Sequence, residues 1–366
     1  MTLEELRARL TALDRQLLEL VAERQRLSGE VAAVKHATGL PTRDFQRERD
    51  VLLTARQTAD AFGVSPAIAE SLLRLLIRDS LTTQEQAQVA ARGRGTGRSA
   101  LIIGGAGKMG GWFADFMSSQ GYRVVVADPR EAASDYERVG DWHGVELAHD
   151  FVVVATPLKI ANEVLIELAA RRPRGVVFDI GSLKTPLRKG LNALRDAGCA
   201  VTSVHPMFGP DTELLSGRHV ICCDVGHADA NTEAQSLFAS TMAEQVVMTL
   251  DEHDRLIAYV LGLSHALNIV FFTALAESGE AAPKLARMSS TTFDSQLDVA
   301  SRVAAESPEL YYEIQRLNDY GGESRHALRE AVERLLDAVE GGDEAAFSRM
   351  MRRGREYLAG RVRDKT

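Results

Sequence analysis

The sequence predicts a chain of mixed α and α/β class, with a helical module first, a parallel α/β domain next and a helical domain last. Two observations predict it. Over the first 90 residues the apolar positions keep a helical period with no strand signal. From Ser99 the pattern changes to short apolar runs separated by helix-length segments, and the strand signal ends after about residue 244. The boundaries expected are therefore a helical module at 1–88, a linker at 89–98, an α/β domain at 99–244 and a helical domain at 245–366. A length of 366 residues allows two or three such domains, each with its own core.

Composition narrows the function classes. Hydrophobic residues make up 45% and charged residues 26%, ordinary values for a globular chain. A net charge of −8 and no long basic run give no reason to expect a nucleic-acid partner. Cys199, Cys222 and Cys223 have neither metal-ligand spacing nor an even disulfide framework, which fits a reducing cytoplasm. The charged, periodic start MTLEELRARL is not a signal peptide. No apolar stretch is expected to approach the roughly 20 residues of a membrane helix, so no membrane is expected.

In the first module Leu6, Leu10, Leu13, Leu17, Leu20, Leu27, Val31 and Val34 form one apolar seam in 4-3-4-3 spacing. It stops at Thr38-Gly39-Leu40-Pro41, where glycine and proline end a helix. A helix over 3–37 would be about 50 Å long. Two shorter helices, expected over 44–62 and 66–84, cannot cover such a rod, so a partner chain is expected. Residues 86–98 (QAQVAARGRGTGR) lose the period and collect Gly and Arg, as a linker does.

The runs SALIIGG, YRVVVAD, FVVVATP, GVVFDIGS, AVTSVHP and RHVICCD alternate with helical segments, which argues a parallel sheet. Helices beginning with one over 254–280 then run to the C-terminus. Gly105-Ala106-Gly107-Lys108-Met109-Gly110 has the G-x-G-x-x-G spacing, directly after the first run and at the start of a helix. The first two glycines let the backbone turn against a pyrophosphate, the third allows close helix–strand packing, and the helix N-terminus offers N–H groups to the anion. Asp128 ends the next run, 21 residues past Gly107. It is placed to accept from ribose hydroxyls and to repel a 2′-phosphate, so a Rossmann-type domain holding NAD is expected. Arg130 nearby keeps NADP as the lesser alternative.

The helical seam has one defect. Arg24 stands where an apolar residue belongs, between Leu20 and Leu27. A cation on a buried face needs an anion beside it, either a structural partner or a ligand. Lys35 lies on nearly the same face, about 16 Å further along. Arg47 and Glu48 open the next helix, and Ser80 and Gln84 close the third. Spacing alone leaves structural ion pairs and an anion pocket equally open.

Leu6-Arg7, Asp14, Arg24, Lys35, Gly39-Leu40-Pro41, Asp44, Arg47-Glu48, Ser80 and Gln84, as they stand here, give the module a resemblance to the all-helical chorismate mutases. The resemblance implies an intertwined homodimer with Arg7 serving the pocket of the other protomer. Arg7 and Arg24 lie about 100° apart around the helix, consistent with separate pockets. It further implies that Arg7, Arg24 and Arg47 bind the two carboxylates of chorismate. Lys35 and Gln84 would donate to the ether oxygen, Glu48 would accept from the ring hydroxyl, and Asp44 and Ser80 would contact substrate. The rearrangement to prephenate needs no nucleophile, acid or base, only a held conformer and stabilised charge.

His205-Pro206-Met207-Phe208-Gly209-Pro210-Asp211 follows an apolar strand, which puts His205 at a strand's C-terminal end, where such sheets bind ligands. A histidine there can take a hydroxyl proton; alone it would read as a loop residue. With Gly104 to Gly110, Asp179-Ile180-Gly181-Ser182-Leu183-Lys184 and Glu252-His253-Asp254, however, the chain from Ser99 onward resembles the prephenate dehydrogenases. The resemblance implies oxidative decarboxylation of prephenate to 4-hydroxyphenylpyruvate. His205 would take the 4-hydroxyl proton, and Ser182 would orient it or the hydroxyl. Arg302 would bind a substrate carboxylate, against the reading of a surface cation. His265 would touch substrate, against the reading of a core histidine. Asp294 stands where some relatives have a second arginine. Arogenate and 4-amino-4-deoxyprephenate remain alternative substrates, and a mutase module kept only as a dimerisation and tyrosine-sensing scaffold is an alternative of another class. Tyrosine feedback is implied by resemblance, with no residue identifying its site. The variant Arg24→Ala is expected to lose mutase turnover of chorismate while still dimerising, which a rate assay beside sedimentation would check.

Overall fold

The first helix, α1 (Leu3–Thr38), is unbroken, and Gly39 ends it at a φ of +70°. The computed structural model describes residues 1–131, 133 and 135–363. Along α1 the seam from Leu6 to Val34 stands between 42% and 69% exposed within the single chain. Asp44 caps α2 (Phe45–Ala59) by accepting from the Arg47 amide at 2.9 Å. After a short 3₁₀ turn, Ser65 caps α3 (Pro66–Ala91), with Pro66 in its first turn.

The third helix does not stop at residue 84. It continues to Ala91, because 86–91 (QAQVAA) are helix-forming residues and Val89 is buried in the core of the neighbouring sheet domain. Nor is the segment that follows a free linker. The Gly95 amide donates to the Gln120 carbonyl at 2.9 Å, and a Cβ on Gly95 would fall 2.2 Å from the Tyr122 amide. Arg98 then pairs with Asp150 and Glu233. Helical module and sheet domain form one compact unit, Met1–Gly181 with Lys189–Thr249.

The sheet domain runs β1 (Ser99–Ile103), α4 (Lys108–Ser119), β2 (Arg123–Ala127), β3 (Glu137–Val139), β4 (Phe151–Val154), α5 (Leu158–Arg171), β5 (Val176–Asp179), α6 (Arg188–Asp196), β6 (Val201–Pro206), β7 (His219–Asp224), α7 (Ala228–Ser236) and β8 (Glu244–Thr249). The eight strands lie in the order β3-β2-β1-β4-β5-β6-β7-β8. The central strands are apolar on both faces, as strands covered by helices on both sides must be. Two features depart from the expected sheet. β7 runs antiparallel to β6, because a loop and not a helical crossover joins them. A further strand, β8, begins at residue 244, where the alternating signal fades on a largely exposed edge.

The second unit is Ser182–Arg188 together with the chain from Leu250 onward. Its helices are α8 (Leu250–Ile257), a π turn (Ala258–Leu263), α9 (Ser264–Glu277), α10 (Ala282–Arg287), α11 (Thr291–Ala304), α12 (Pro308–Leu317), α13 (Gly321–Glu340) and α14 (Glu344–Arg363). The helical run from Leu250 to Glu277 is long and apolar enough to cross a membrane by length and composition, contrary to the expectation that no stretch approaches that size. The charges at Asp251, Glu252, Asp254 and Arg255 mask it in the sequence, and only 22% of its most apolar window is buried within the chain.

One carboxylate organises this unit. Asp254 is fully buried and accepts from the Lys184 amide at 2.9 Å, the Thr185 amide at 2.7 Å and the Thr185 hydroxyl at 2.6 Å. His253 Nδ1 lies 2.6 Å from it. Asn318 donates to its backbone carbonyl at 2.9 Å. Burial opposes its ionisation, but the bonds from His253 and Thr185 outweigh burial and hold the carboxyl below the usual range. That lowered value contributes stability above the ordinary aspartate pKa of about 3.9, lost as pH falls through the folded value. Asp254→Asn is therefore expected to cost about 3 kcal/mol at neutral pH and to lessen the loss of stability on acidification, as urea titrations at pH 7 and pH 3 would read.

Candidate active sites

In the helical module α1 and α3 enclose a cavity of about 230 Å³, lined by Gln25, Ser28, Lys35, Ser80, Gln84 and Gln88 among others. Arg24 reaches its wall, donating to the Ser80 hydroxyl at 3.0 Å and to the Leu76 carbonyl at 3.1 Å. Lys35 Nζ donates to the Thr42 carbonyl at 2.8 Å. Neither cation has a carboxylate within ion-pair distance among the described residues, so the structural salt bridge considered for Arg24 is not formed there. Gln84 donates to Ser28 at 2.8 Å, while its buried carbonyl oxygen has no partner among the described residues. Unneutralised cations beside an unsatisfied amide oxygen suit an anionic ligand that also carries a hydroxyl donor.

Other candidates lie elsewhere. Asp44 is engaged as the cap of α2. Glu48 takes a two-pronged bond from Arg43, at 2.8 and 2.9 Å. Arg47 lines a separate groove with Val51 and Leu72. Arg7 is exposed on α1. The structure thus brings Arg24, Lys35, Ser80 and Gln84 together and leaves Arg7, Asp44, Arg47 and Glu48 outside that cavity within one chain. Ser28 and Gln88 were missed, although each lies one helical turn beyond a residue already singled out, Arg24 and Gln84.

In the sheet domain the glycine turn fits a pyrophosphate by its crowding. Gly104 has a φ of +89°, and a Cβ on Gly110 would meet the Gly104 carbonyl at 2.4 Å. A Cβ on Gly105 would meet Val126 at 2.6 Å. Gly107 precedes α4 with no side chain capping it, so the amides of Lys108 and Met109 face outward from the first turn. Asp128 is buried just past β2 and accepts from the Ala106 amide at 3.1 Å and from Arg130 Nη2 at 3.0 Å. Burial raises its carboxyl, but the Arg130 and amide bonds prevail and hold it below the usual range. In this state the arginine covers the group read as the ribose acceptor.

His205 is buried near the C-terminal end of β6, paired across the ladder with Ile221. Beside it in the sheet, Asp179 ends β5, accepts from the Gly181 amide at 2.9 Å and takes the Ser203 hydroxyl bond. Ser182 belongs to the second unit, in the segment that Asp254 anchors. There His265 stacks on Tyr311, with ring centres 4.2 Å apart, and its Nδ1 has no partner among the described residues. Burial pushes its pKa down to about 4, so the ring is neutral at ordinary pH. Arg302 is exposed, its Nε bonded to the Asp298 carbonyl at 3.2 Å.

Comparisons with known proteins follow the same division. Residues 6–85 match the family model of chorismate mutase type II. Residues 125–247 match the nucleotide-binding domain of prephenate dehydrogenase, and 249–353 match its dimerization domain. The glycine turn lies just outside the second of these matches. The T-protein of Enterobacter agglomerans is 30% identical over 353 residues, covering 94% of this chain and 90% of that protein. The 4-amino-4-deoxyprephenate dehydrogenase of Streptomyces pristinaespiralis is 31% identical, covering 68% of this chain and 87% of that protein. Among solved structures, prephenate dehydrogenase from A. aeolicus, in complex with hydroxyphenyl propionate and NAD+, superposes with a TM-score of 0.57 at 19% identity, covering 72% of this chain and 98% of that one. At that identity it supports the fold of the sheet and C-terminal domains. With a mutase domain and both dehydrogenase domains matched along nearly the whole length of a relative, the chain belongs to the T-protein family, in which chorismate mutase is fused to prephenate dehydrogenase.

Proposed function

We propose that this chain converts chorismate to prephenate in the α1–α3 cavity and then oxidises and decarboxylates prephenate to 4-hydroxyphenylpyruvate, a precursor of tyrosine, at the sheet domain. One observation carries the first half: Lys35 lines the cavity and Arg24 reaches its wall at Ser80, with no carboxylate within ion-pair distance of either among the described residues. Two cations in a site partly screened from water stabilise a dicarboxylate and the negative charge that develops on its ether oxygen. Gln84 stands on the same side and would turn its amide from Ser28 to donate to that oxygen, and Ser80 fixes the Arg24 guanidinium. Arg7 completes the pocket of a partner subunit in this reading. The uncovered seam on α1 supports a homodimer, since so long an apolar face is costly in water.

For the second half, NAD is held by the turn from Gly105 to Gly110 and by Asp128, and it supplies a hydride acceptor when bound. Binding of the ribose requires Arg130 to give up its place on the Asp128 carboxylate, which then accepts from the sugar hydroxyls. His205 removes the proton of the substrate's ring hydroxyl as a carbonyl forms. Ser182, Arg302 and His265 belong to the second unit, and the resemblance gives each of them a part in holding substrate. A neutral His265 contributes a hydrogen bond rather than a charge. Loss of carbon dioxide then makes the ring aromatic and the step irreversible. Three buried thiols without a disulfide support a reducing cytoplasmic setting.

A relative acting on 4-amino-4-deoxyprephenate keeps that substrate as a second reading of the dehydrogenase half. Chorismate supplied alone with NAD is expected to yield NADH and 4-hydroxyphenylpyruvate, followed by absorbance and chromatography. Prephenate accumulating without NADH would move the dehydrogenase to another substrate or to NADP. Chorismate left untouched while prephenate is oxidised would make the helical module a scaffold. Asp128→Asn is expected to raise KM for NAD about tenfold and leave mutase turnover unchanged; an unchanged KM would remove Asp128 from the ribose site.

A further inference from the structure

The loop 207–218 joins β6 to β7 and begins two residues after His205. Its neck is closed by the Met207 amide on the His219 carbonyl, at 2.9 Å. Its middle lies on α4, the helix that opens at the glycine turn. Trp112 of that helix donates to the Thr212 carbonyl at 3.0 Å, and its ring meets Phe208 with centres 4.9 Å apart. The remaining anchors come from the mutase module. Glu85 Oε2 accepts from the Leu215 amide at 2.6 Å, and Arg43 donates to the Ser216 hydroxyl at 2.6 Å. The other oxygen of Glu85 accepts from the Met242 amide in the turn before β8. Gln88, which also lines the mutase cavity, donates to the Ser240 carbonyl at 2.8 Å.

Glu85 is 3% exposed, and its position on α3 directly follows Gln84 of the cavity. No cation offsets its charge within ion-pair distance among the described residues; what holds it is a pair of backbone amides from two loops of the other catalytic domain. A buried carboxylate is costly unless its oxygens are well bonded, so this geometry is demanding for both partners.

We propose that Glu85, carried by the mutase helix, is a positioning residue for the dehydrogenase reaction: through the Leu215 and Met242 amides it fixes the loop that follows His205 against the nucleotide-binding helix. The mutase module then supplies a structural part of the dehydrogenase site. The inference rests on the reading of His205 as the proton acceptor. Glutamine keeps the size of the side chain but has one acceptor oxygen and turns an N–H toward the second amide; alanine keeps neither bond. Ser216→Ala removes the Arg43 anchor alone.

The test uses the full chain, with E85A, E85Q and S216A assayed separately for chorismate rearrangement and prephenate oxidation, and with amide exchange followed by peptide. Misplacing a reacting group is costly, so kcat for prephenate oxidation is expected to fall about tenfold or more in E85A and less in E85Q and S216A. KM for NAD and mutase kcat/KM stay within about twofold. Exchange across 207–218 speeds up, while α1 and β1 keep wild-type protection. If E85A does not fold, E85Q and S216A carry the same comparison. The proposal fails if the loop loosens in these variants and prephenate oxidation keeps its kcat. It fails equally if both activities drop together in proportion to folded protein, which would make Glu85 a stability residue only. His205→Asn is run beside them: wild-type oxidation in that variant would overturn the reading of His205, whatever the Glu85 variants do.

Discussion

Much of the first unit depends on the buried carboxylate of Glu85 and the two amides that satisfy it. Burial pushes this carboxyl up, against the pull of the Leu215 and Met242 bonds, so the contact holds only while both loops keep their places. α3 is consequently shared. One stretch of it gives Ser80 and Gln84 to the cavity, and the next gives Glu85, Gln88 and Val89 to the neighbouring domain. A helix that ended at Gln84 would leave two catalytic domains on a string. Carried on to Ala91 it makes them one body.

The second unit is built on the same device, with a hydroxyl and a histidine added to the amides. Asp254 is as buried as a residue can be and is satisfied by amides, a hydroxyl and an adjacent histidine. It takes a segment that lies, in sequence, inside the nucleotide-binding domain and binds it into the helical unit. Ser182 therefore travels with helices that follow it by nearly 70 residues. In both units a buried acid, bonded to backbone amides distant in sequence, fixes where a neighbouring segment lies.

The resemblance to two enzyme families rests on residues with special backbone or charge requirements, and those were readable in the linear chain. Gly105, Gly107 and Gly110 announce a turn because only glycine tolerates the approach of Val126 and of the Gly104 carbonyl. Arg24 announces itself as a cation on an apolar seam. His205 stands at the end of an apolar run, where a strand must stop. The antiparallel β7, the exposed strand β8 and the apolar length of α8 and α9 were not readable. The direction of β7 follows from the loop that replaces a helical crossover, β8 lies on an exposed edge where alternation is weak, and the charges at the start of α8 mask the apolar run behind them.

The order of helical and sheet segments, the glycine turn and the residue types of the candidate sites follow from local backbone geometry and from charge placed against a regular pattern, so they can be read along the chain. Which of those residues meet is set by the fold. It joined Lys35, Ser80 and Gln84 around one cavity, set Glu48 against Arg43 and Asp44 on a helix end, and put Arg130 over Asp128. It also made Glu85 and Asp254 structural centres. Nothing local distinguishes a glutamate that faces water from one that faces two amides more than 100 residues away in sequence; that difference arises only when distant loops close over it.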